Sequence, residues 1–347
     1  MTDIDCNSEM ANFHREKVML TNAQQTHMRE RRDAGRTRLK NGLDLNQYSH
    51  PEDMESQGSY QMRTMVQDDN NDYDIDDGLY FKDSALTDQD GKSLSPLAVR
   101  ERICEALKWD GRFKKEASVK NNCVRQDYSL GYHIDMPVYR IINTKNEDDE
   151  YIKYFELASR DEWIKSDARA VTKWFNGKVG ELNRGESDGS QMRRVTKLTK
   201  KFARREDWKE ETTSGICITK LIVDHFVFAT DRDDKALRDT WIAIKTKLDE
   251  STVIEHPVLD GIQLASEDEK TICFFRDCLN ENLKILQELD NDSCTREKAR
   301  EVWNEVFNTT YFTNQPKNED ANKSSAASLV VTSIETARRN DGGGRFG

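Results

Sequence analysis

The sequence predicts an α+β fold in two lobes: a small mixed β-sheet lobe with helices, then a mainly α-helical second lobe. Three observations lead there. Residues 50–142 alternate strand-like and helical segments, the pattern of a small α/β layer. From Ser159 onward the apolar residues recur at helical spacing. The chain has 347 residues, and at roughly 150 residues per domain this leaves room for about two units. The expected boundaries are 1–158 for an N-terminal helix and the first lobe, 159–312 for the helical lobe, and 313–347 for a flexible tail.

Residues 1–12 read as a ragged start. Thr21 can cap a helix that runs to about Lys40 through a proline-free stretch rich in Arg, Lys, Gln and Ala. Strands are expected at Asp74–Phe81 and Tyr132–Ile142, with a helix at Pro96–Trp109 between them. Six helices follow: Ser166–Leu182, Gln191–Trp208, Ser214–Ala229, Asp233–Leu248, Ser266–Leu289 and Thr295–Phe307. In the second, Val195, Leu198 and Phe202 share one face, with Lys and Arg around the rest of the turn. Trp163 and Trp174 read as core residues. From Asn314 the composition is too polar to bury much surface.

The formal net charge is −11. Binding of DNA, RNA or an anionic membrane is driven by neutralising phosphates, so no polynucleotide requirement and no membrane association are expected. The longest apolar run, Ile216 to Ala229, is interrupted by Lys220, Asp224 and His225 and is too short to span a bilayer. The N-terminus has no basic segment followed by an apolar one, so no secretory signal is read there. Seven cysteines without a CxxC, and six single histidines, point to a reduced cytoplasmic chain with no zinc site.

Chemistry concentrates in one block. Gln57-Gly58-Ser59-Tyr60-Gln61 precedes Asp74-Ile75-Asp76-Asp77-Gly78-Leu79-Tyr80-Phe81. Residues i and i+2 of a strand share a face, so Asp74 and Asp76 project together and repel each other unless a cation lies between them. Mg²⁺ suits such a pair, because it takes one or two carboxylates together with substrate phosphates. Asp135, a lone acid in the apolar segment Tyr132–Tyr139, supplies a third carboxylate for a two-metal site. Gly58 lets backbone approach a phosphate, and Ser59 at a helix start offers a hydroxyl and an N–H.

Plainer readings compete with this one. Gly-Ser alone marks an ordinary turn, and the aspartates of 68–77 alone mark a solvated loop. A calcium-binding loop fails on spacing: with Asp72 as first ligand, the glycine position holds Asp77 and the final glutamate position holds Asp83. Gly91-Lys92-Ser93 lacks the earlier glycine of a Walker A loop. The combination of Gly-Ser, a DxD strand and a separate strand with one Asp is far more specific, because each part has its own role in one site.

That set resembles the nucleotidyltransferase superfamily of poly(A) polymerases and oligoadenylate synthases. QGSYQ, DIDDGLYF and HIDMPVY together resemble its cGAS/DncV-like members, closest to the DncV branch of bacterial cyclic dinucleotide synthases. Arg160–Asp167, Trp174-Phe175-Asn176 and Arg193-Arg194-Val195-x-Lys197-x-x-Lys200 extend the similarity, which covers about residues 12–308. The pattern departs at Gln57, where an apolar residue is common, and in the short stretch between Tyr139 and Arg160.

The resemblance implies a two-lobe nucleotidyltransferase fold in which Asp74, Asp76 and Asp135 hold two Mg²⁺, with Mn²⁺ able to substitute. It implies that Gln57, Gly58, Ser59, Lys200 and Ser214 serve the donor triphosphate. Ser166, on its own a helix N-cap, and Arg125 would face the base. The implied activity is a cyclic oligonucleotide synthase making a cyclic dinucleotide such as 3′,3′-cyclic GMP-AMP from ATP and GTP or other NTPs, as the second messenger of an antiphage (CBASS) system. The lack of a zinc cluster removes the DNA-clamping insertion of the animal relatives. A template-free RNA or tRNA nucleotidyltransferase and a non-catalytic nucleotide-binding protein are the alternatives. The C-terminus, Gly342-Gly343-Gly344-Arg345-Phe346-Gly347, is either a frayed end or the substrate of an operon-encoded, ubiquitin-ligase-like partner that conjugates Gly347.

Overall fold

A computed structural model describes residues 4–68, 73–109, 111, 115–145, 149–184, 189–208 and 211–316. The first helix, α1 (Asn7–Phe13), continues as one π-helical turn to Val18. Of the ragged start expected for residues 1–12, residues 1–3 lie outside the described residues, and from Asn7 the chain is helical instead. Cys6, Met10 and Phe13 recur at helical spacing and are buried in the core of the helical lobe. Glu9 is buried beside them, held by Arg296 and Arg300 at 2.6 and 3.0 Å.

Helix α2 (Asn22–Leu45) starts at Thr21, whose hydroxyl accepts from the Gln24 N–H in a capping box. It crosses α4 (Pro96–Lys108) at Gly42, where a Cβ would fall 1.8 Å from the Ala106 carbonyl oxygen. Between these helices lie β1 (Asp53–Gln57), the short α3 (Gly58–Gln61) and β2 (Asp74–Lys82). Then come β3 (Ser118–Val119), β4 (Val124–Asp127), β5 (His133–Met136), β6 (Val138–Lys145), β7 (Tyr151–Ser159) and β8 (Glu162–Lys165).

The sheet runs β3-β4-β5-β2-β6-β7-β8, with β1 also antiparallel to β2. β5 and β6 both lie parallel to β2. The single strand expected at Tyr132–Ile142 is thus two, parted at Pro137, which has no N–H to donate. The sheet and its supporting helices bury Leu39, Leu43, Ile75, Leu79, Ile103 and Val138 in one core, while Tyr80, Tyr139, Phe155 and Leu157 form a second cluster. The hairpin β7–β8 carries strand pairing to Lys165, beyond residue 158.

The helical lobe contains α5 (Ala168–Arg184), α6 (Gly189–Ala203), α7 (Gly215–His225), α8 (Asp233–Glu250), α9 (Lys270–Leu286) and α10 (Arg296–Phe307). A small pair, β9 (Ile254–Glu255) and β10 (Gln263–Ala265), lies between α8 and α9. Trp241, Phe202, Phe275 and Trp303 fill this lobe's core. Phe312 is fully buried and Arg300 holds the carbonyls of Gln315 and Pro316, so the chain is anchored as far as 316. Most of the expected tail, including Gly347, lies outside the described residues. Among the described residues no helix is long and apolar enough to cross a membrane.

Candidate active site

The site begins with strand register. Parallel pairing sets Asp74 opposite His133 and Asp76 opposite Asp135. Side-chain alternation then puts Asp74, Asp76, His133 and Asp135 on one face of the sheet. Ligand atoms of Asp74, His133 and Asp135 lie within 4.8 Å of one another. The His133 Nε2 is 3.9 Å from an oxygen of each of those two aspartates. The neighbouring Asp77 points the other way, where Arg36 and Ser56 hold it.

Charge is badly balanced here. Burial pushes the Asp76 carboxyl well above its ordinary range, and repulsion from Asp74 and Asp135 adds to that. Asp74 is raised by burial and then by Asp135, partly opposed by His133, Arg204 and Arg125. Converging carboxylates that resist ionisation suit a divalent cation, which would supply the missing positive charge. The donor set fits such ions: Asp74, Asp76 and Asp135, with the His133 imidazole in reach.

Opposite these acids, β1 runs into α3 at Gly58, which adopts φ +62°. A Cβ there would sit 2.2 Å from the Asp76 Oδ2, so only glycine lets the turn pass so close to the acid. Ser59 follows, and its carbonyl accepts from the Thr64 N–H at 2.8 Å. The Thr64 hydroxyl accepts from the Lys200 Nζ at 3.1 Å. Lys200 is buried, and its amine is pushed down to about 7 by desolvation, then by Arg204 and Lys197, against the pull of Asp74. A Cβ on Gly215 would be 3.9 Å from its Nζ, so the amine faces the first turn of α7. Ser214 caps that turn, accepting from the Cys217 N–H.

Sheet, α3, α6 and α7 thus gather Asp74, Asp76, Asp135, Gly58, Ser59, Lys200 and Ser214. Three other expected residues sit differently. The Gln57 side chain turns into the sheet's aromatic cluster, donating to the Tyr139 hydroxyl and accepting from that of Tyr80, so only its backbone faces the turn. Arg125 on β4 is opposite Asp135 in register and grips both its oxygens at 2.8 Å, rather than standing free for a base. Ser166 is not the cap of α5. Asp167 is, accepting from the Ala170 N–H at 2.9 Å, while the Ser166 N–H bonds the Phe155 carbonyl. The sequence reading missed Thr64 and His133. The i, i+2 spacing of His133 and Asp135 was a usable signal, whereas nothing local marks Thr64.

Residues 52–139 match the family described as "Cyclic GMP-AMP synthase DncV-like, nucleotidyltransferase domain". The whole fold is similar to that of Vibrio cholerae DncV cyclic AMP-GMP synthase with the linear intermediate 5′ pppA(3′,5′)pG: TM-score 0.68, 16% identity, 88% of this chain and 96% of that one. The same enzyme with nonhydrolyzable GTP matches at TM-score 0.69 and 15% identity, over 91% and 98%. Escherichia coli DncV with 3′-deoxy GTP matches at TM-score 0.65 and 18% identity, over 86% and 94%.

Proposed function

We propose, from the premise that this chain is a nucleotidyltransferase with a cGAS/DncV-like catalytic domain, that it joins ATP and GTP into a cyclic dinucleotide of the 3′,3′-cyclic GMP-AMP type. The observation that carries this is the meeting of three carboxylates on two parallel strands with the Gly58-Ser59 turn on one side and Lys200 with Ser214 on the other. The similar DncV structures hold GTP analogues and a linear dinucleotide.

In this reading Ser59, Lys200 and the amide end of α7 hold the donor triphosphate, where helix N-terminus and ammonium both favour anions. Asp74, Asp76 and Asp135 hold the divalent cations, Mg²⁺ or Mn²⁺. Such ions lower the pKa of an attacking hydroxyl and neutralise departing pyrophosphate. The sheet fixes the acids, while the Ser59 turn and the helical lobe fix the phosphates, so a ribose hydroxyl is aimed in line at the α-phosphate. A second round on the re-seated linear product closes the ring. The working division we propose is an N-terminal helix and catalytic lobe in residues 1–158, a helical lobe in 159–312 that adds Lys200 and Ser214 to the triphosphate site, and a tail from 313, with α1 packed on the helical lobe and β8 extending the sheet past 158. Second-messenger signalling in antiphage defence, in the cytoplasm, follows from the product, and conjugation of Gly347 by a ligase-like partner is proposed for the tail.

Purified protein incubated with all four NTPs and Mg²⁺ or Mn²⁺, with products identified by mass spectrometry, tests the reading. A cyclic dinucleotide is expected. Extension of an RNA primer without any cyclic product would replace it with template-free polymerisation.

A further inference from the structure

Away from the acids, a cavity of about 500 Å³ opens where the start of α2, the α3 turn and α6 meet. Its walls carry three cations, Arg29, Arg63 and Lys197, and no carboxylate. None of Asp74, Asp76, Asp135, Ser59, Lys200 or Ser214 lines it. In a chain of net charge −11, so one-sided a lining is conspicuous.

Two of these cations, Lys197 and Arg63, are also poorly compensated. Lys197 is half-buried, and its ammonium is disfavoured by desolvation and by Arg193 and Arg194, with no acid offsetting them. Arg63 adds its own charge against Arg193. Among the described residues neither Lys197 nor Arg63 has a side-chain hydrogen bond or ion pair. Arg63 is further held at φ +58°, a conformation an arginine adopts at a cost of about 1–2 kcal/mol. Tyr60 and Met65 give the cavity an apolar wall beside these charges.

We propose that this cavity is a second anion site, which binds a small polyphosphorylated molecule separately from the catalytic nucleotides. Cations gathered around one concave space are stabilised by an anion that bridges them, and each charge-assisted contact is roughly twice as strong as a neutral one. The volume lies within the range of small-molecule sites, about 300–1,000 Å³. The site also reaches the catalytic cleft. Arg63 precedes Thr64, which joins the Ser59 carbonyl to the Lys200 amine. A bound anion would therefore steady the turn that presents Ser59. That effect on synthesis rests on the nucleotidyltransferase reading, whereas the binding itself does not.

Calorimetric titration of the full chain with inorganic triphosphate, in EDTA at low salt, tests the site without turnover. Without divalent cations the three catalytic carboxylates repel the probe, so the second site dominates the signal. Saturable binding is expected. The double variant Arg29→Gln/Lys197→Gln should bind about tenfold more weakly or worse, the loss of at least one charged contact. Arg29 is exposed on α2, so Arg29→Gln alone also reports on the site with folding not at stake, and it should weaken binding measurably. Lys200→Ala should bind within about twofold of the unaltered chain, since Lys200 lies outside the cavity. No binding, unchanged binding in the double variant, or a loss in Lys200→Ala that places the anion in the catalytic cleft would each overturn the proposal. Failure to make a cyclic dinucleotide would leave this measurement untouched.

Discussion

Arg125 grips both oxygens of Asp135 at 2.8 Å from the neighbouring strand. One of the three converging carboxylates thus has a fixed positive partner, while Asp76 keeps the repulsion of Asp74. Removing that partner should leave a buried carboxylate poorly compensated. Arg125→Gln is expected to lower the metal-free melting temperature, by the equivalent of about 1–3 kcal/mol. It should also enlarge the gain in melting temperature on adding Mn²⁺. Scanning fluorimetry with and without the ion checks both; an equal gain in the two proteins would separate Arg125 from the acid cluster.

Asp74→Asn or Asp76→Asn should abolish product and leave the fold intact. Both carboxyls are raised in the folded protein, so their contribution to stability is fully present below the unfolded value of 3.8 and is lost as pH rises through the folded values. Metal-free protein should therefore lose stability over that rise, and the Asn variants should lose less. Melting curves across pH, paired with product analysis, decide this. Wild-type turnover in the double Asn variant would sink the catalytic assignment.

Lys200→Ala should reduce kcat/KM for NTPs by about ten- to a hundredfold, the value of one charge-assisted contact of roughly 1.5–3 kcal/mol. The lowered pKa, about 7, adds a pH signature. As pH rises through that value the free protein loses the ammonium charge, so NTP affinity should weaken, with proton uptake on binding. Calorimetry in buffers of differing ionisation enthalpy should detect that uptake in the unaltered chain and not in Lys200→Ala.

Synthesis should proceed without DNA or RNA, because a chain of net charge −11 offers little to neutralise a polynucleotide backbone. Activity assays with nuclease-treated protein, with and without added duplex, check this. A strict requirement for duplex would contradict the charge argument.

Deleting Phe346 and Gly347 should leave synthesis in vitro unchanged and remove any higher-mass conjugate seen in cells carrying the complete operon. Immunoblots with and without phage read the outcome. Absence of any conjugate on the unaltered chain returns the tail to an ordinary frayed terminus.

Much of the site was legible because it obeys local rules. Alternation along a strand puts Asp74 and Asp76 on one face whatever surrounds them, and apolar spacing marks α6 and α8. Asp135 stood out as one acid in an apolar segment. Other elements hid for identifiable reasons. The strand β7 opens on exposed Tyr151, Ile152 and Lys153 and buries Phe155, Leu157 and Ala158, so no clean alternation announces it. Helix α1 is too short to announce itself, and it is held by Phe13 in a distant core and by Glu9 between two arginines of α10.

Sequence alone was enough for the α+β class, the Gly58-Ser59 turn and the three acids, because these depend on backbone periodicity and on the cost of burying charge. Tertiary structure decided the rest. It set Asp76 against Asp135 and Asp74 against His133, turned Gln57 toward Tyr80 and Tyr139, closed Arg125 onto Asp135, and placed Thr64 under Lys200. Apart from the Arg125–Asp135 grip, which closes across one hairpin, those pairings join segments far apart in the chain. Their register is chosen by the packing of sheet against helices, a collective quantity that no short stretch of residues encodes.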